Sequence, residues 1–257
     1  MPTLLRRLTM LAASALFAFS AQADMLLYCG ITMVKPMTEI AQQFEKQEGV
    51  RIAISQGGSE DLYQAAKKSG VGDWYLPGEP SYRDKHLAEG LLGDFVTVGY
   101  NQMAIVVPKG NPKKVKGDPR ELLRKDLTAI IGSPQSGSVG LEARDILTAM
   151  GLYDKVVENA AFLSPDSRSL MNSMKKGEAD IALTWRATGF FAENAALLDT
   201  LDLDPKVAKP QALLLNQLKS AKDPALARRF MTFAAGETGQ AIFRKHGFLD
   251  NKGKASK

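Results

Sequence analysis

Cysteine is almost missing from this chain. Cys29 is the one thiol in 257 residues, so no intramolecular disulfide can form and a cysteine-rich metal site is excluded. Stability must therefore come from packing. Histidine is nearly as scarce: His86 and His246 are far apart on expected helices, without a ligand-like neighbour at metal-site spacing, and read as surface or helix-end residues. No cofactor and no metal centre are expected. Charge of one sign is also lacking, with 33 Lys and Arg against 28 Asp and Glu. The densest basic cluster, Lys113-Lys114-Val115-Lys116, follows Gly110-Asn111-Pro112 and reads as a solvated loop. The basic stripe with interleaved aromatics of a nucleic-acid binder is absent. Beyond residue 23 no apolar run approaches the ~20 residues that span hydrocarbon.

What is present begins at the N-terminus. Arg6 and Arg7 precede an apolar run from Leu8 to Phe19, and Ala21-Gln22-Ala23 follows as a small-x-small site. These are the three parts of a cleavable secretory signal at residues 1–23, and the run is too short for an anchor. Its removal leaves 31 basic against 28 acidic residues, a mild +3, in a mature chain of 234 residues. That length suffices for one large domain or two lobes.

Apolar runs of strand length alternate with helical periodicity, which predicts an α/β protein with mainly parallel sheets covered by helices on both faces. Met25–Cys29 suits a buried strand. Met37, Ile40, Ala41 and Phe44 then share one helical stripe that Gly49 ends. Strands are expected at 50–54 and 73–76, a helix from Ser59 to about Lys68, and a helix containing Leu87 and Leu91. Met103–Pro108 reads as a long strand leaving the first unit. A second series follows: a strand at 128–132, helices at 140–150 and 167–176, and a strand at 179–184. Ala212–Leu215 reads as a return strand, and two helices punctuated by Gly236 and Gly239 finish the chain. If these tail helices pack on the first unit, the chain crosses twice between two lobes with a cleft between them. A single doubly wound domain fits the periodicity equally well.

Short polar turns recur where strands pass into helices. In an open parallel sheet such turns gather at the carboxyl ends of the strands, where ligands bind. The first helical N–H groups have no partner there and the helix dipole favours an anion, so several helix starts aimed at one point make an anion cage without formal positive charge. Thr32 after the first strand, Ser59 after Gly57-Gly58, Ser138-Val139-Gly140, and Asp166-Ser167 fit that role. Each, taken alone, is equally an ordinary turn or cap.

These segments, together with Phe44-Glu45-Lys46-Gln47-Glu48-Gly49-Val50, Val106-Val107-Pro108-Lys109-Gly110-Asn111-Pro112, Gly177-Glu178-Ala179-Asp180 and the tail Asp223–Phe248, resemble the molybdate- and tungstate-binding branch of the periplasmic solute-binding proteins of ABC transporters. The similarity spans nearly the whole mature chain. It implies a two-lobed type II fold, with residues 24–106 and 212–257 in lobe 1, 107–211 in lobe 2 and two crossovers. It implies a non-enzymatic, periplasmic protein that captures a tetrahedral oxyanion, molybdate or tungstate foremost, acts as a monomer, and delivers its ligand to an inner-membrane ABC permease. Matched residue by residue, Thr32 and Ser59 are the hydroxyl donors of lobe 1, Val139 and Ser167 supply backbone N–H groups from lobe 2, and Trp185 stands where a tyrosine hydroxyl is common.

There are departures. Thr32 replaces a serine, residues 132–138 lack an Asp-Pro opening, and Arg168 and Arg186 lie near the proposed site. An arginine there would suit another small anion, a carboxylate, phosphonate or sulfate-like ion, by forked contacts; either arginine reads equally as lying on a solvated face. No adjacent tyrosine pair is available for ferric iron. An enzyme with Cys29 as nucleophile is the remaining alternative, although neither histidine belongs to a partner motif.

Overall fold

The computed structural model describes residues 25–250, and the export segment read at 1–23 lies outside the described residues. Within them the strands form two five-stranded sheets. The first contains β1 (Met25–Gly30), β2 (Ile52–Gly57), β3 (Trp74–Leu76), β4 (Leu92–Asn101) and, from the far end of the chain, β10 (Gln211–Leu218). The second contains β5 (Met103–Pro108), β6 (Ala129–Gly132), β7 (Phe162–Ser164), β8 (Ile181–Trp185) and β9 (Leu198–Asp202). Their spatial orders are β2-β1-β3-β10-β4 and β7-β6-β8-β5-β9.

Both sheets are mixed rather than mainly parallel. β1 is parallel to β2 and β3, and β10 runs antiparallel between β3 and β4. Likewise β6 is parallel to β7 and β8, and β5 is antiparallel to β8 and β9. The reversed strand is in each case the one that has just crossed from the other lobe. It enters its sheet at the cleft, where the parallel strands end, and so must run against them. The lobe boundary expected after Val106 falls inside β5, which pairs with β8 and β9 of the second sheet; the first crossing is at Gln102.

Helices cover both faces. In lobe 1 these are α1 (Val34–Glu48), α2 (Ser59–Ser69) and α3 (Ser81–His86); in lobe 2, α4 (Ser138–Ala149), α5 (Tyr153–Asn159), α6 (Ser167–Lys175), α7 (Arg186–Phe190) and α8 (Ala192–Ala195). The tail gives α9 (Pro224–Ala235) and α10 (Glu237–Lys245). Side chains of β1 alternate with the strand period: Met25, Leu27 and Cys29 join a core with Phe44, Phe230 and Phe243, whereas Tyr28 joins Leu62, Tyr63 and Tyr75 on the opposite face. The tail helices thus complete lobe 1. Lobe 2 has its own core of Ile105, Ile130, Leu147, Leu170, Leu183 and Trp185. The helix expected to include Leu91 ends earlier: α3 stops at His86, a short 3-10 turn follows, and Gly90 at φ 77° turns the chain into β4.

The two crossings are tied together. The Gln102 side-chain amide donates to the carbonyl oxygens of Leu203 (3.0 Å) and Ala208 (2.8 Å) in the returning segment. Next to them, α7 leaves lobe 2 to pack on lobe 1, with Ala187 and Phe191 buried in the lobe 1 core. Arg186 donates to the Gly247 carbonyl at 2.7 Å.

Candidate functional site

All four parallel-strand exits on which the sequence placed a candidate residue open onto one pocket. β1 runs through Gly30 into a 3-10 turn bearing Thr32, and β2 runs through Gly57-Gly58 into Ser59 at the start of α2. From lobe 2, Gly137 leads into α4 at Ser138-Val139, and Asp166 leads into α6 at Ser167. Thr32, Ser59, Val139 and Ser167 all lie on the wall of this pocket and all are buried. Its volume is about 20 Å³. That is the scale of an ion of a few atoms, far below the ~300–1,000 Å³ of pockets for drug-sized ligands.

Helix starts supply the polarity. Neither α2 nor α4 has a side-chain cap, so their first-turn N–H groups are left for another acceptor. On α6, Asp166 Oδ1 accepts from Ser169 N at 2.8 Å, and this cap leaves the N–H groups of Ser167 and Arg168 unused. Three helix dipoles therefore end at one small volume.

Two hydroxyls are oriented from behind. Ser59 Oγ accepts from Gly78 N at 3.0 Å, and Ser138 Oγ accepts from Trp185 Nε1 at 3.2 Å. With an acceptor position filled in this way, each hydroxyl keeps its proton to donate. Trp185 is thus corrected: it is fully buried, absent from the pocket wall, and acts on Ser138. Ser138 was passed over in favour of its neighbour Val139, because nothing in sequence pairs it with an indole forty-seven residues later.

Glycine makes the closure possible. A methyl group on Gly78 would fall 2.1 Å from Ser138 Oγ, and one on Gly58 would fall 2.5 Å from the Ser136 carbonyl oxygen. Both contacts join lobe 1 to lobe 2, so at these two points the lobes meet with no room for a methyl group between them.

The arginines have other tasks. Arg186 is buried, paired with Asp202 (Nε to Oδ1, 2.7 Å), bonded to Gly247 and stacked on Phe190 at 4.1 Å, which corrects its reading as an anion contact. Arg168 donates to Gln56 Oε1 at 2.8 Å across the cleft and lines a separate, larger chamber. Among the described residues the pocket wall has no Lys, Arg or His.

Cys29 is fully buried, and burial pushes its thiol far above the usual range, which works against the thiolate a nucleophile needs. The reading of His86 is corrected in part. It stands at a helix end, as the last residue of α3, but rather than lying at the surface it is buried, stacked on Tyr63 and held between Glu60 (3.0 Å) and Glu89 (2.7 Å). His246 lies at the end of α10 against Glu39 at 3.0 Å. Glu142 of α4 accepts from Gln211 at the start of β10, 3.0 Å away. Burial pushes its carboxyl up to about 7; that hydrogen bond opposes the shift, and Glu79 and Asp145 add to it.

Two lobes, a double crossing and a pocket between them define the class as a two-lobed binding protein. The chain belongs to the bacterial extracellular solute-binding protein family, whose match runs from residue 25 to 249. The molybdate-binding protein ModA of Mycobacterium tuberculosis is 24% identical over 227 residues, covering 88% of this chain and 84% of that protein. Among solved structures, the periplasmic molybdate-binding protein of Azotobacter vinelandii is 20% identical with a TM-score of 0.74, covering 88% of this chain and 99% of its own. The sulfate-binding protein SubI of Mycobacterium tuberculosis is 16% identical with a TM-score of 0.79, covering 90% and 88%. The resemblance read in the sequence is matched by these relatives. Among the described residues no helix is long and apolar enough to cross a membrane.

Proposed function

We propose that the protein captures a tetrahedral oxyanion in the periplasm, with molybdate or tungstate as the leading ligands, and delivers it as a monomer to an inner-membrane ABC permease. The observation that carries this reading is the composition of the pocket: about 20 Å³ lined largely by glycines, hydroxyls and helix starts from both lobes, with no cationic side chain and one carboxylate, Asp166, which is engaged as the cap of α6. Thr32, Ser59, Ser138, Val139 and Ser167 are the proposed ligand-holding residues. A hydrogen bond to a charged partner contributes on the order of 1.5–3 kcal/mol, so five or six such donors support micromolar to nanomolar affinity after ordering costs. Sulfate is the second reading, favoured by the small size of the pocket.

A thermal-shift panel tests both. Molybdate or tungstate at modest excess raises Tm strongly, and sulfate and phosphate raise it weakly. A strong response to sulfate alone replaces the first reading with the second. Silence toward every tetrahedral oxyanion, with a response to a simple carboxylate, removes both.

A further inference from the structure

The anion pocket shares the wall residues Ile31 and Thr32 with a larger chamber of about 210 Å³ between the same lobes. One side of this chamber is the start of α1; the other is α6 with the α7–α8 segment. The two spaces differ in chemistry. The small pocket offers uncharged donors, whereas Lys35, Arg168 and Lys175 line the chamber against one carboxylate, Glu193. Glu193 is paired with Lys35, and Arg168 is held by the neutral Gln56, so the chamber walls carry a net excess of positive charge. Met171 and Phe191 add an apolar surface.

A free four-oxygen ion has no use for such a chamber, because it fills the small pocket and leaves the chamber's excess positive charge unmatched. A tetrahedral head joined to a short carbon tail that ends in a carboxylate would use both spaces: the head on the helix starts, the carbons on Met171 and Phe191, the carboxylate on Lys175 and Arg168. Resting on the oxyanion reading above, we infer that the chamber is a second subsite, which extends the ligand class to short phosphono- or phospho-carboxylates.

Isothermal titration of the mature protein with molybdate, inorganic phosphate and phosphonoacetate tests this, using wild type, Lys175→Gln and Ser59→Ala. Phosphonoacetate is expected to bind about tenfold or more tighter than phosphate, the scale of one charge-assisted hydrogen bond. Lys175→Gln is expected to erase most of that advantage and to leave the molybdate Kd within about twofold, as for a charge outside the small pocket. Ser59→Ala weakens binding of all three ions. The subsite is overturned, with the oxyanion reading intact, if phosphonoacetate binds no tighter than phosphate or if Lys175→Gln weakens both equally. Failure of all three ions to bind wild type overturns the oxyanion reading and the subsite together.

Discussion

At the scale of the residue, the two serines make the sharpest case. Ser59 and Ser138 are each fixed by an N–H behind the oxygen, so removing either hydroxyl deletes one oriented donor and disturbs little packing. Ser59→Ala and Ser138→Ala are each expected to weaken oxyanion binding about ten- to a hundredfold and to lower Tm of the unliganded protein modestly, because Gly78 N or Trp185 Nε1 loses its acceptor; titration calorimetry beside a melting curve checks both. Glu142 gives a pH dependence of definite sign. Its carboxyl titrates near 7 when folded and near 4.5 when unfolded, so its neutral form is favoured by the fold. The stability it permits is complete below about pH 4.5 and is lost as pH rises through 7, on the order of 3 kcal/mol. Wild type should therefore lose stability relative to Glu142→Gln between pH 5 and 7.5 in urea titrations, and parallel curves would contradict this. Thr32, Ser59, Val139 and Ser167 were legible in sequence because each follows a strand and opens a turn or helix. Trp185 and Arg186 were not, since their partners Ser138, Asp202 and Gly247 are distant along the chain.

At the scale of the element, strands that end in glycine and helices that begin without a cap do the positioning. Gly78 is the point where the turn after β3 meets the first residue of α4, and its backbone is not in the left-handed region. Gly78→Ala should fold normally yet lose oxyanion affinity by at least about tenfold, because the added methyl group holds the lobes apart; small-angle scattering with ligand would show the open form persisting. The short helices α5, α7 and α8 were not anticipated, whereas the longer helices were well marked by their apolar stripes, and α1 also by Gly49, which ends it in the left-handed conformation. Edge strands were not. β4 and β9 close the two sheets on one side with half-exposed, partly charged sequences such as Leu198-Asp199-Thr200-Leu201-Asp202, which carry too little apolar signal to stand apart from loops. The antiparallel course of β5 and β10 was equally hidden, because periodicity reports which face a side chain takes and not the direction of its neighbour.

At the scale of the molecule, the two-lobed plan was legible mainly through the tail: α9 and α10 return to lobe 1, where Phe230 meets Phe44 at 5.2 Å and Trp74 at 4.4 Å. The place of crossing was not, because β5 looks in sequence like any buried strand and only its pairing assigns it to lobe 2. Gln102 binds both crossings at one point, and contacts such as Arg168 with Gln56 and Lys35 with Glu193 hold the far side shut. The lack of any cationic side chain on the small pocket has a bearing on unloading. On the proposed reading, an ion held there by helix starts and hydroxyls stays a bare anion whose hold lapses once water reaches the cage. Discharge of such an ion would need only the parting of the lobes, with no proton, reductant or competing salt to pry it loose.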